Sequence, residues 1–302
     1  MKFLRTIVAL FLLLQSCQIA ARFNRLTELQ PDIPEPSIEL IEKQVIQSLY
    51  DTKSYKIAAG ELIRFAMVKD LALVQHMKAS MFKDLKVEKL ESLVKDGLFD
   101  EMAGAAWDDA TAKVTIDADD IFCLESKAKW LEENGINFPL GNFPVYKMVK
   151  QHIDKCLMML KDESLAKNRE MQLQFATMYS GIFKVVNNFI VNYAFQLTKK
   201  REQNKFKEDN VSLERRINKW ISRALGITHV IQVLNEVLLY SSLPDRKIPR
   251  EVLITEIRAC SVVTNHALKT LNHAMDLYIE YQVDVINKRR KKEAEDVVVD
   301  VM

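Results

Sequence analysis

The chain has 302 residues, a formal charge of +2, 48% hydrophobic residues and four cysteines. That length buries a substantial core, and so small a net charge argues against a nucleic-acid binder, which needs a basic surface to replace phosphate counterions. Cysteines this few and this widely spaced exclude both a disulfide-framework scaffold and a CxxC-type zinc site.

The chain opens MKFLRTIVALFLLLQSCQIAARFNRL. Basic Lys2 and Arg5, an apolar run from Ile7 to Leu14, then small Ala20 and Ala21 follow the order of a secretory signal over residues 1–21, cut after Ala21. Two other readings fit less well. A bacterial lipoprotein signal ending at Cys17 is disfavoured by Gln15, and a retained anchor needs roughly 20 apolar residues where this run is far shorter. Cleavage removes two basic residues and no acid, so the mature chain is neutral. It also removes Cys17 and leaves Cys123, Cys156 and Cys260, which allow at most a single disulfide; sequence does not choose the pair. A small buried thiol is the simpler reading of each. Secretion also gives meaning to Asn210-Val211-Ser212, a sequon in the hydrophilic stretch KKREQNKFKEDNVS, and makes Asn210 the candidate glycan acceptor.

Glycine and proline are scarce, and apolar residues recur at three and four, seldom at two. This predicts an all-α chain, a multi-helix bundle of about seven to nine helices with the longest in its C-terminal half. After LQPDIPEPS, Ser37 caps a helix with the stripe Ile38, Ile41, Val45 and Leu49. A second helix covers 57 to about 83, and shorter ones lie near 87–95 and 101–113. Asp119 or Asp120 caps the next, which Gly135 stops. GINFPLGNFPVY, with two glycines and two prolines, marks an internal boundary near 135–144, and its apolar residues predict packing against the body. Helices follow over 145–161 and 164–205. In the latter, Phe175, Tyr179, Ile182, Val186, Ile190, Tyr193 and Leu197 form one stripe, widened by Phe183, Phe189, Val191 and Phe195. A helix so broadly apolar belongs at a bundle centre. Lys184, Asn187, Asn188 and Asn192 interrupt it, so no membrane span is predicted.

The next stripe runs Leu213, Ile217, Trp220, Ala224, Ile227, Ile231, Leu234 and Leu238, up to a break at SSLPDRKIP. Pro249 opens the last helix, whose face Leu253, Ile257, Cys260, Thr264, Leu268, Leu271, Met275 and Tyr278 puts Cys260 in the core. The C-terminal EAEDVVVDVM reads as a flexible tail from 291. A single helical domain over 22–290 results.

Motifs for chemistry are thin. His266 and His273 share the wet face of the last helix with Lys269, Asp276 and Glu280, and only His273 and Asp276 have ligand spacing, so no metal site is assigned. Asp117, Asp119 and Asp120 lack the glycine and glutamate of a calcium loop and suit a helix N-terminus. No GxSxG, Walker or dinucleotide pattern occurs, so neither a catalytic residue nor a cofactor is assigned. Two basic clusters, Lys199-Lys200-Arg201 and Arg289-Arg290-Lys291-Lys292, sit near predicted helix C-termini, where the dipole favours cations. They are also candidate contacts for a polyanion such as heparan sulfate.

A signal ahead of RFNRLTELQPDIPEPSIELIEKQVI, a 34.9 kDa precursor, all-helical patterning and few cysteines together resemble the mosquito salivary 34-kilodalton family, secreted proteins of blood-feeding insects. The resemblance covers most of residues 22 to 290 and rests on layout, so no functional residue is carried over by position. It implies a non-enzymatic protein delivered with saliva that binds host or insect proteins at the bite. From the residues themselves three classes compete. A secreted interaction protein, working through exposed helix faces on an extracellular partner, fits the signal, the sequon and the missing motifs. A carrier of a small apolar ligand would line a cavity with Phe175, Tyr179, Phe183 and Phe189. An enzyme with dispersed catalytic residues would gather shifted titratable groups in a cleft.

Overall fold

The computed structural model describes residues 43–44, 46–47, 55–76, 102, 115–140, 144–203, 210–243 and 249–300. The signal segment, the proline-rich lead, most of the helix expected after Ser37, the helix near 87–95 and most of the one near 101–113 lie outside the described residues. The chain divides into a unit through Gln44, in which Lys43 and Gln44 are helical, and a second unit, Val45–Met302. Among the described residues the protein is all-α, without strands. The second unit holds six described α-helices: α1 (Tyr55–His76), α2 (Ala118–Glu133), α3 (Val145–Lys161), α4 (Arg169–Gln203), α5 (Val211–Ser241) and α6 (Arg250–Asp300). The last three, of 35, 31 and 51 residues, fall in the C-terminal half as periodicity requires.

Local chemistry sets the boundaries. Asp117 rather than Asp119 or Asp120 caps α2: its carboxylate accepts from the Asp119 amide at 3.3 Å, which leaves Asp119 and Asp120 inside the first turn where negative charge suits the dipole. The helix ends in a Schellman turn, with Ile136 N–H on the Leu131 carbonyl at 2.9 Å and Gly135 N–H on that of Glu132 at 3.0 Å. Gly135 has φ +78, the left-handed conformation that disfavours a side chain. The stretch after it lies on the body, with the buried Phe138 ring 5.0 Å from that of Tyr193. Glu125 of α2 then supplies what Pro144 lacks, accepting from the Tyr146 N–H at 3.1 Å and so capping α3 from outside.

Sequence starts the next helix at 164, whereas the structure inserts a 3₁₀ turn at Glu163–Ala166 and begins α4 at Arg169. Two caps explain the difference. The Asp162 carboxylate accepts from Ser164 N–H at 2.9 Å, and the Asn168 amide oxygen accepts from Glu170 N–H at 3.0 Å, so the chain restarts where the second cap sits.

Pairs of contacts fix how the long helices run. Arg201 near the end of α4 meets Glu214 near the start of α5 at 3.7 Å, and Arg169 at the start of α4 donates to the Leu243 carbonyl just past the end of α5. Between α5 and α6, Ser241 meets Glu256, Ile231 meets Cys260, and Trp220 meets His273. Each pair is therefore antiparallel. All seven residues of the α4 stripe are buried, as are Ile217, Ala224, Ile227, Ile231, Leu234 and Leu238 on α5 and the whole expected face of α6 from Leu253 to Tyr278. Their apolar side chains join those of α1, α2 and α3 in one core. Phe195, expected to widen the α4 stripe, is instead 64% exposed.

α5 is the one helix among the described residues long and apolar enough to cross a membrane, and 67% of its most apolar window is buried inside the protein. The backbone of α6 is helical through Asp300, including residues from 291 that sequence reads as a loose tail. No glycine or proline interrupts it, and KKEAE is rich in helix formers.

Leu271→Ala and Leu234→Ala should each lower the unfolding free energy by roughly 2 to 5 kcal/mol in a denaturant titration. Losses under about 1 kcal/mol for both, the scale of surface changes, would contradict this burial.

Candidate interaction surface

Antiparallel packing redistributes the charge of the chain. The C-terminal turns of α4, the N-terminal turns of α5 and the distal part of α6 share one end of the bundle, so two basic clusters that are far apart in sequence converge there. Within 199–203, 211–219 and 280–292 stand eleven basic and four acidic residues, an excess of seven in a chain whose total is +2. Arg215, Arg216 and Lys219 form no cluster recognisable in sequence, and only the fold sets them beside the end of α4.

The basic residues picked out by sequence differ in what they do. Lys199 is exposed, Lys200 donates to Gln203 at 3.0 Å, and Arg201 is held by Glu202 at 3.2 Å and Glu214 at 3.7 Å. Arg201 thus ties α4 to α5, while Arg289, Arg290, Lys291 and Lys292 are all exposed on α6. Lys288 beside them pairs with Asp284 at 2.7 Å. Asn210 stands half-buried immediately before α5, and its side chain makes no capping hydrogen bond. Cys123, Cys156 and Cys260 are free thiols on α2, α3 and α6, with no bridge among them. Burial pushes the Cys156 thiol up to about 12 and holds Cys260 well above its ordinary value, so both are poor nucleophiles.

His273 stands edge-on to Trp220 at 4.6 Å, with the Arg223 guanidinium 5.2 Å from the same ring. Asp276 pairs instead with Lys127 of α2 at 2.5 Å. Around that ion pair runs a polar seam. Asn265 accepts from Asp117 N–H at 2.7 Å and donates to the Thr115 carbonyl, while Asn272 accepts from Lys127 and donates to the Asp120 carbonyl at 3.0 Å. Burial, then the nearby Asp117, raise the Asp120 carboxyl against the pull of Lys269 and Lys127. Among the described residues no cluster of three or more histidine, cysteine or acidic side chains could hold a metal ion.

The most displaced carboxyl is Glu256, wholly buried between α5 and α6. It accepts from the Ser241 hydroxyl, and its second oxygen has no hydrogen-bond partner. Burial drives its pKa far above 4.5, and the Ser241 bond offsets only part of this. Neither a family model, nor a curated protein, nor a solved structure matches the chain.

Because the folded state keeps a proton on Glu256 that the unfolded chain gives up above pH 4.5, its contribution to stability is greatest below that pH. It falls as pH rises toward the folded pKa, by at most about 1.4 kcal/mol per pH unit. Glu256→Gln should flatten this decline in unfolding curves taken from acid to neutral pH; an unchanged slope would show that Glu256 is ionised in the fold.

Proposed function

We propose that the chain is a secreted, non-enzymatic interaction protein, a salivary effector of a blood-feeding insect that acts on an extracellular protein of host or insect. The observation that carries this reading is the contrast between the buried faces of the long helices and the apolar side chains left outside. Phe175, Tyr179 and Phe183 are fully buried and stack one turn apart along α4, at 5.0 and 5.8 Å between ring centres. Phe122, Met158 and Phe195, by contrast, are 54%, 72% and 64% exposed. Phe122 forms a surface pair with Tyr146 at 5.1 Å, with Lys150 5.5 Å from the Tyr146 ring, a platform suited to a partner surface. The strongly shifted groups Glu256, Tyr193 and Cys260 owe their shifts to burial in the core, which speaks for packing and against a solvent-reached catalytic cleft.

The test is intact mass and N-terminal sequencing of the protein made by eukaryotic cells, with and without glycosidase. The expected product starts at Arg22, carries a glycan on Asn210 and appears in the medium. A chain retained in the cell with Met1 intact would overturn the secretory reading.

A further inference from the structure

We infer that the basic end of the bundle binds a linear sulfated polysaccharide of the heparan type. The inference deepens the extracellular reading above and rests on it for the choice of polyanion. Helix register places the cations. Trp220 lies opposite His273, so the first residue of α5 lies opposite about residue 282, and at about 1.5 Å per residue the run 288–292 stands roughly 9 to 15 Å beyond it. Five consecutive basic residues exceed the roughly 3.6 of one helical turn, so their side chains point to every side of α6 there. All five are exposed.

A second set of cations, with exposed Lys199, Arg215 and Arg216, lies on the flank where α4 ends and α5 begins. The positive surface is therefore bent, part flank and part protruding rod. A flexible single chain of sulfates can follow both parts, whereas a flat bilayer or a stiff duplex reaches one at a time. Clustered cations attract such a chain by release of its counterions, which makes binding weaken with salt. Beyond Lys292 the sequence turns acidic at Glu293, Glu295 and Asp296.

The experiment is calorimetric titration of the purified chain with a heparin oligosaccharide at several salt concentrations, beside duplex DNA and phosphatidylserine vesicles. Heparin should bind most tightly. The variant with Arg289, Arg290, Lys291 and Lys292 all changed to Gln should bind it on the order of tenfold more weakly, with a shallower salt dependence, as should Arg215→Gln with Arg216→Gln to a smaller degree. Lys147→Gln with Lys155→Gln, exposed changes on α3, should stay within about twofold, which separates location from net charge. Unchanged heparin affinity in the first variant overturns the inference, as does equal loss in the α3 variant, or tighter binding of DNA or vesicles than of heparin. The titration does not depend on export, so a chain that binds heparin yet keeps Met1 in cells sinks the secretory reading alone.

Discussion

α4, α5 and α6 carry apolar faces too wide for one neighbour to cover, and mutual burial of those faces is the constraint on which the rest of the fold depends. Each long helix must touch two others, which the short connections between α4, α5 and α6 permit only in antiparallel order. Burial of Tyr179, Tyr193 and Tyr278 alone removes large apolar area from water at about 25 cal/mol per Å². Once that packing is set, α2 and α3 are laid on it by specific polar contacts, and the chemistry of the two bundle ends follows from helix direction.

Polar groups within this interior fix register where apolar contact alone would let helices slide. Ser241 on Glu256 ties the α5–α6 pair near its turn, and the Asn265 and Asn272 bonds hold α2 at one position along α6. At the opposite end from the basic surface, Arg169 and Arg250 donate to the Leu243 and Leu160 carbonyls, where helix C-termini favour cations. Arg169 and Arg250 are thus structural at one end, as Arg201 is at the other, where by our proposal Arg215, Arg216, Arg289 and Arg290 face a partner.

Periodicity makes the long helices legible, since the stripe from Phe175 to Leu197 and the face from Leu253 to Tyr278 are buried where their spacing puts them. It does not separate two caps a few residues apart, so the roles of Asp117 and Asn168 emerge only from hydrogen-bond geometry among neighbours of similar chemistry. Phe195 falls beside the α4 stripe by period yet faces solvent, because the width of a buried stripe depends on how many neighbours a helix has, which no local pattern encodes. Arg215 and Arg216 become part of a surface only through a contact between helices. The candidate surface is therefore half visible in the sequence, as two separate basic words whose meeting requires the fold.

Antiparallel packing brings the two basic segments to one end of the bundle, an arrangement that distances between spin labels read out. In a background with Cys17→Ser and Cys123→Ser, and with Cys156 and Cys260 buried, labels at Lys199→Cys and Lys288→Cys should lie much closer than labels at Lys199→Cys and Glu251→Cys. The latter pair is separated by roughly 40 Å along the bundle from the helical rise. Equal distances, or the reverse order, would contradict the arrangement and with it the shared basic surface.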